Sequence, residues 1–151
     1  MAAGTSVKLI IPSEIRLIDL VHAASEKVAE LAGFDEDDAL NMGLAVREAV
    51  INAMLHGNKR DPALKVSVTL TADEKSLRAR VTDEGNGFDP GKMPDPIDSN
   101  NLMNDSGRGL LLMDAFVDTV KFRVRPRGGT EVTLVKRLPV RKGKQGNQDK
   151  A

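Results

Sequence analysis

The hydrophobic positions at the start of the chain change from a strand pattern to a helical one. Residues 7–11 form a short apolar run that is closed by Pro12. This predicts a strand near a sheet edge, because proline cannot donate to an inner ladder. Over residues 14–31 the apolar positions recur at helical spacing, with Ser13 placed as a cap and Gly33 as a stop. We therefore expect an edge strand followed by an amphipathic helix.

A second, longer helix is predicted for residues 36–57. Asp35 and the acidic residues after it favour a helix N-terminus, and Gly57 can take the left-handed conformation that ends a helix. Glu48 and Asn52 are four residues apart and lie together at one margin of its apolar stripe. The residues expected to form that stripe are Leu40, Leu44, Ile51 and Leu55, with Val50 and Met54 extending it on one side.

Two strand pairs follow. Residues 65–70 and 77–82 flank a polar turn, and residues 119–124 and 130–135 flank a turn with two glycines. Both pairs are typical of β-hairpins.

A polar segment and a short helical pattern separate the two hairpins. Residues 83–106 contain many Pro, Gly, Asn and Asp residues and predict a long surface loop, which in a compact domain is often functional. Residues 107–116 resume a helical pattern. The order of elements predicts an α+β two-layer sandwich, with a mixed, mainly antiparallel sheet covered by helices on one face.

Length and composition restrict the classes of protein that remain. The 151 residues fit one domain, which we place at residues 1–138, with a basic, disordered tail over residues 139–151. Lys plus Arg equals Asp plus Glu at 22 each, so no global field favours nucleic acid or an anionic membrane. There is no cysteine and no apolar run long enough to span a bilayer. We expect a cytoplasmic protein that binds neither nucleic acid nor membrane directly.

The first candidate for chemistry is the pair Glu48 and Asn52 on the second helix. Mg²⁺ prefers oxygen ligands and takes few of them from protein, so Asn52 is a candidate metal ligand. Glu48 is a candidate to orient or deprotonate an attacking hydroxyl. The alternative is that both side chains mark the solvated edge of an amphipathic helix.

Two glycine-containing segments are further candidates. In Asp83-Glu84-Gly85-Asn86-Gly87 the glycines allow close approach of a flat ligand, and a carboxylate at a strand end can accept from an exocyclic amine such as that of adenine. An ordinary turn is the alternative. Residues 106–110 lie where the loop becomes a helix, so their N–H groups can bind phosphate, unless they are only a flexible helix start.

Together these segments resemble a known superfamily. Residues 47–58, Arg-Glu-Ala-Val-Ile-Asn-Ala-Met-Leu-His-Gly-Asn, look like the N-box of the Bergerat-fold, or histidine-kinase-like, ATPases. Residues 83–87 and 107–109 resemble its two glycine boxes, and Gly128-Gly129-Thr130 resembles the Gly-Thr that enters its last strand. Within the superfamily, the length and the second glycine box look most like the serine kinases that act as anti-sigma factors.

The resemblance implies roles for individual residues. Glu48 would be the general base, Asn52 the Mg²⁺ ligand and Asp83 the adenine-binding residue. Thr130 would support the contact between Asp83 and adenine, and His56 would reach a phosphate. The nucleotide-binding residues implied are therefore Asn52, His56, Asp83, Gly85, Gly87, Gly107, Arg108, Gly109, Leu110 and Thr130.

The resemblance also implies a function. The chain would bind ATP and Mg²⁺, phosphorylate a serine of an antagonist protein, sequester a sigma factor and form a homodimer. Asn104-Asp105-Ser106 stands where this branch often has a basic residue, so Arg108 replaces that charge or phosphoryl transfer is weak. The alternative function is a nucleotide-dependent interaction switch with little or no kinase activity. A histidine kinase is disfavoured, because no dimerising helix with a phosphoacceptor histidine precedes the N-box.

Overall fold

The computed structural model describes residues 4–85 and 113–139, and its centre is a five-stranded antiparallel sheet. The strand order is β1-β2-β3-β5-β4, so β1 and β4 are the edges and β3 lies in the middle. The expectation of an edge strand closed by Pro12 is confirmed. The strands are β1 Thr5–Pro12, β2 Lys65–Ala72, β3 Ser76–Asp83, β4 Thr119–Val124 and β5 Thr130–Arg137.

Buried and exposed side chains alternate along the strands, so the sheet has one buried face and one open face. In β2, Val66, Val68 and Leu70 are fully buried, while the residues between them are partly exposed. Their register partners on β3, such as Val81 opposite Val68, are buried as well. One face therefore packs against helices and the other faces solvent, as is common in antiparallel sheets.

Two helices cover the buried face. A 3-10 turn, Ile15–Leu17, leads into α1, Ile18–Ala32, which ends at Gly33 in the left-handed conformation with φ 112°. The second helix, α2, spans Glu36–Asn52 and contacts α1, β3 and β5. Because the helices lie on one face only, the predicted two-layer α+β class is confirmed.

The N-terminal cap predicted for α2 is confirmed, whereas the one predicted for the first helix is wrong. The Asp35 carboxylate accepts from the backbone N–H of Asp38 at 2.8 Å. Ser13 caps no helix, since its hydroxyl donates to the carbonyl oxygen of Leu64 at 2.8 Å. The first helical turn begins one residue later, after Glu14 in an extended conformation.

The stripe of the second helix that faces the core agrees with the prediction only at Val50 and Met54, which are fully buried. Leu40 is 40% exposed, and Leu44, Ile51 and Leu55 are only partly buried. The buried face consists of smaller or flexible side chains, because α2 packs closely against both α1 and the sheet. Those buried residues are Ala39, Met42, Ala45, Val46, Ala49 and Val50.

Part of the predicted organisation lies outside the described residues. Residues 86–112 and 140–151 include the predicted loop, both glycines of residues 107–109 and the tail. Residues 113–116 are helical, as expected for the end of the helix over residues 107–116. The boundary at residue 138 stays a prediction. Within residues 4–85 and 113–139, no helix has the length and apolar character needed to cross a membrane.

Candidate functional site

Asp83, the last residue of the central strand β3, is the one acidic residue among the described residues that is buried. It is 3% exposed, and its Oδ1 accepts from the backbone N–H groups of Gly85 at 3.0 Å and Thr130 at 3.1 Å. Burial raises the pKa of Asp83 to about 6, although the two hydrogen bonds and the charge of Arg125 act to lower it. No hydrogen bond from the described residues reaches Oδ2, which leaves that oxygen for a donor on a ligand.

Three glycines allow the backbone to close around this carboxylate. A Cβ at Gly57 would overlap the carboxylate itself, and one at Gly85 would overlap the carbonyl of Gly57. A Cβ at Gly129, where φ is 92°, would overlap the carbonyl oxygen of Asp83. The close approach of these backbone segments around Asp83 is therefore possible only because the three positions lack side chains.

The turn between β4 and β5 completes this end of the sheet. Arg125 donates from Nη1 to the carbonyl oxygen of Asp83 at 3.4 Å, and its backbone N–H donates to Gly129 at 2.9 Å. This contact places a cation beside the candidate adenine-binding carboxylate. Arg125 was not predicted to belong to the site, because its distance from Asp83 in the sequence hides the contact.

On α2, Asn52 is 6% exposed and lies one turn from Glu48. Its Nδ2 atom is buried without a hydrogen-bond partner in the described part of the chain. A buried, unsatisfied amide costs about 1–3 kcal/mol, so such a group calls for a ligand or water. Its burial contradicts the alternative that Asn52 marks a solvated helix edge.

Glu48, one turn before Asn52 on α2, is partly buried. Desolvation raises its pKa above the usual 4.5, and the neighbouring Arg47 charge lowers it. Arg47 in turn pairs with Asp19 of α1 through Nη1 and Oδ1 at 2.5 Å. The carboxylate therefore combines burial, which raises its basicity, with a neighbouring cation that opposes the shift in pKa.

After Asn52, the helix that carries Glu48 and Asn52 changes from an α-helix to a wider π-helix, which runs toward Asp83. Residues Ala53–Gly57 form a π-helix, a rare element that is frequent at functional sites. The wider turn ends with Asn58 donating its N–H to the carbonyl of Ala53 at 2.7 Å. Because the π-helix contacts β3, it brings Gly57 against the Asp83 carboxylate.

Asn58 fastens this junction, and the sequence analysis did not assign it a role. It is 1% exposed, its Nδ2 donates to Ser13 Oγ at 2.8 Å and to the carbonyl of Lys65 at 3.0 Å, and its Oδ1 accepts from the N–H of Glu84 at 2.9 Å. The side chain thus joins the end of the helix to the first residue of β2 and to the residues that directly follow β1 and β3. The signal available was its position directly after His56-Gly57 in the N-box.

The structure brings together only some of the predicted residues. Asp83, Gly85 and Thr130 are in direct contact, and Thr130 supports the carboxylate through its backbone N–H. His56 is exposed, on the π-helix next to Gly57. The remaining nucleotide-binding predictions lie outside the described residues: Gly87, Gly107, Arg108, Gly109 and Leu110.

These features fit a nucleotide with its metal ion. The carboxylate of Asp83 has an oxygen available for an exocyclic amine, and the unsatisfied Nδ2 of Asn52 is a donor that an oxygen atom of a ligand can accept from, which leaves Oδ1 of Asn52 as the atom able to bind a metal. Among the described residues no group of three or more His, Asp or Glu side chains could hold a metal alone. Mg²⁺ bound here would need oxygens from phosphate and water, as is usual for this ion.

Comparison with known proteins agrees with this geometry. Residues 11–136 match the family model described as the histidine kinase-like ATPase domain. Because the match covers most of the chain, the protein belongs to that family.

Two relatives of known name are similar to this chain over most of its length. The chain is 29% identical over 138 residues to serine-protein kinase RsbW of Bacillus subtilis, covering 87% of this chain and 85% of that protein. It is 29% identical over 104 residues to the anti-sigma F factor of Oceanobacillus iheyensis, covering 68% and 71%. The resemblance inferred from the sequence motifs is confirmed.

A solved structure confirms the fold. The crystal structure of the RsbU and RsbW domains of Rv1364c from Mycobacterium tuberculosis is similar with a TM-score of 0.60 at 22% identity. The match covers 91% of this chain and 34% of that one, so the chain spans about a third of the solved protein.

Proposed function

We propose that the protein is a cytoplasmic anti-sigma regulatory factor that binds Mg²⁺·ATP, phosphorylates a serine of an antagonist protein and sequesters a sigma factor. The observation that carries the proposal is the order of groups along α2 and its π-helix. A partly buried carboxylate, an unsatisfied buried amide and a glycine against Asp83 follow one another there. The names of the curated relatives, a serine-protein kinase and an anti-sigma factor, support the same function.

Each residue has a proposed task. Oδ2 of Asp83 accepts a hydrogen bond from the exocyclic amine of adenine, while the N–H groups of Gly85 and Thr130 donate to Oδ1 and hold the carboxylate in place. Asn52 contributes an amide oxygen to Mg²⁺, which supplies neutralisation of phosphate charge when bound.

Glu48 has the catalytic task. It accepts the proton of the attacking serine hydroxyl, a role that suits a carboxylate with a raised pKa. His56 contacts a phosphate in this proposal, and the glycines of residues 107–109 bind the remaining phosphate oxygens.

The test is transfer of label from ATP to the serine of an antagonist-like protein encoded by a neighbouring gene. Glu48→Gln should abolish transfer and retain nucleotide affinity, because the amide keeps the shape but cannot accept the proton. Undiminished transfer by Glu48→Gln would disprove the role of Glu48. Asp83→Asn is the matched control, since it should lose nucleotide binding and transfer together.

A second candidate function is a nucleotide-dependent switch without useful kinase activity. The sequence Asn104-Asp105-Ser106 favours it, because no basic residue stands directly before the second glycine box. If ATP changes the affinity for a sigma factor while the antagonist stays unlabelled, the switch is the correct function. Sedimentation of the same samples tests the homodimer that this family resemblance implies.

A further inference from the structure

The open face of the sheet carries a strongly one-sided charge. Within the bounds of the five strands, the register places seven exposed basic residues on this face against a single acidic one, Glu131. Just outside β3 and β4, Glu84 and Asp118 accept from the backbone N–H groups of Lys65 and Arg137. The whole chain, in contrast, has equal numbers of basic and acidic residues. The basic residues of this face are Lys8, Lys65, Arg78, Arg80, Lys121, Arg123 and Arg137.

The single acidic residue neutralises only part of this charge. Glu131 pairs with Arg80 at 3.3 Å and with Arg123 at 3.1 Å, one on each neighbouring strand. Within the described residues, the other five basic side chains have no ion pair. Their charges repel one another across one face of the sheet, a cost that an opposing acidic surface would remove.

Solvation of the sheet does not require this arrangement. An open antiparallel face needs polar side chains, and protection of edge strands needs a charge on β1 or β4. Arg78 and Arg80, however, lie on the central strand β3, where no edge is exposed. A face that served only solubility would also mix both signs.

We infer that this open face, which we call the basic face, is a docking surface for an acidic protein. Hydroxyl groups of Ser67, Thr69, Thr71 and Thr133 lie between the basic residues and can donate to carboxylates. Arginine forks on the central strand suit paired contacts with Asp or Glu side chains. The surface is distinct from the nucleotide site, because Asp83 and Thr130 point to the helix side of the sheet.

Other occupants fit the basic face less well. Two copies related by a two-fold axis would place like charges against each other. No aromatic residue of the described strands lies on this face to stack on bases, and a five-stranded sheet face is wider than the two-stranded ribbon that a DNA groove admits. A membrane surface would favour apolar side chains next to the charges, and Ile10 is the one large exposed apolar residue there.

The experiment compares three anionic probes at low ionic strength without nucleotide: poly-L-glutamate, a short DNA duplex and phosphatidylglycerol vesicles. Poly-L-glutamate should bind most tightly and should shift the amide resonances of β2, β3 and β5. A triple variant, Lys8→Glu, Arg78→Glu and Lys121→Glu, should weaken this binding at least about tenfold, and added salt should weaken it further.

A matched triple variant distinguishes an effect of the basic face from an effect of the protein's net charge. Lys27→Glu, Lys59→Glu and Lys75→Glu make the same charge change at exposed positions off the sheet face, and should retain binding. Circular dichroism checks that both variants fold. Equal loss in the two variants, shifts located elsewhere, absence of poly-L-glutamate binding, or tighter binding of DNA or vesicles would each overturn the inference.

Discussion

The backbone N–H of Thr130 lies 3.1 Å from Oδ1 of Asp83 and donates to it, so the first residue of β5 orients the last residue of β3. Because β3 and β5 are antiparallel, the end of β3 and the start of β5 lie side by side at one end of the sheet. The carboxylate is thereby fixed before any ligand arrives, and its other oxygen is left for recognition. Several consequences can be measured.

Asp83→Asn should stabilise the fold at neutral pH while weakening nucleotide binding. A carboxylate whose pKa rises from 3.8 to about 6 on folding is ionised at a cost that is absent below pH 3.8 and complete above about 6. The linkage corresponds to up to about 3 kcal/mol. The gain in free energy of unfolding should therefore shrink as pH falls from 7 to 4 in chemical denaturation.

The control is Asp73→Asn. Backbone hydrogen bonds from Lys75 and Ser76 lower the pKa of Asp73, so removing its charge should not stabilise the protein at neutral pH. Fluorescent-nucleotide titration should show binding loss only for Asp83→Asn, because an amide nitrogen would face the adenine amine. A pH-independent effect of Asp83→Asn on stability would contradict the linkage.

Gly57→Ala should lower both stability and nucleotide affinity. Its Cβ would overlap the Asp83 carboxylate, and overpacking of this kind costs about 1–3 kcal/mol. A double-mutant cycle with Asp83→Ala should recover part of the loss, since the clash disappears with the carboxylate. Gly43→Ala is the matched helical control: its Cβ would lie 2.9 Å from Cδ2 of His22, a side chain that can shift.

Asn58→Ala should destabilise the protein by about 2–4 kcal/mol, because the N–H of Glu84, the carbonyl of Lys65 and the hydroxyl of Ser13 lose a buried partner together. Urea denaturation measures the change. Ser13→Ala should cost less, since Nδ2 of Asn58 keeps its bond to Lys65. Equal losses in the two variants would show that Asn58 is not the centre of this network.

The rate of phosphoryl transfer should fall as the pH is lowered, and the midpoint of this fall should lie above the ordinary glutamate pKa of 4.5. Glu48 must be ionised to accept a proton, and burial raises its pKa. Arg47→Gln removes the charge that opposes this shift, so the acidic limb of the profile should move to higher pH. Lys27→Gln, a charge loss at an exposed position of α1, should leave the profile unchanged.

The sequence predicted the sheet better than the helix that carries the site. Turn chemistry fixed both hairpins, and Pro12 marked the edge strand. The core face of α2 was predicted correctly at Val50 but otherwise missed, because Ala39, Ala45 and Ala49 pack there while Leu40 is turned outward. Hydrophobicity ranks leucine above alanine, whereas a tight interface between two helices and a sheet selects for size.

The candidate site was predicted only where local motifs specify it. Asn52 and Asp83 stand in recognisable segments, but burial decides their chemistry and is set by tertiary packing. The contacts of Arg125 with Asp83 and of Asn58 with Ser13 join residues far apart in the sequence. No periodicity or turn propensity encodes such distant pairs, and the π-helix at Ala53–Gly57 leaves no distinct local pattern.

The position of β3 in the strand order affects how the site responds to fluctuations. Edge strands fray first, and here β1 or β4 can open without breaking any ladder bond of β3. Asp83 would then keep its orientation through transient openings that expose the margins of the domain. Amide hydrogen exchange should consequently be slowest in β3, and adenine recognition should persist until the domain unfolds globally.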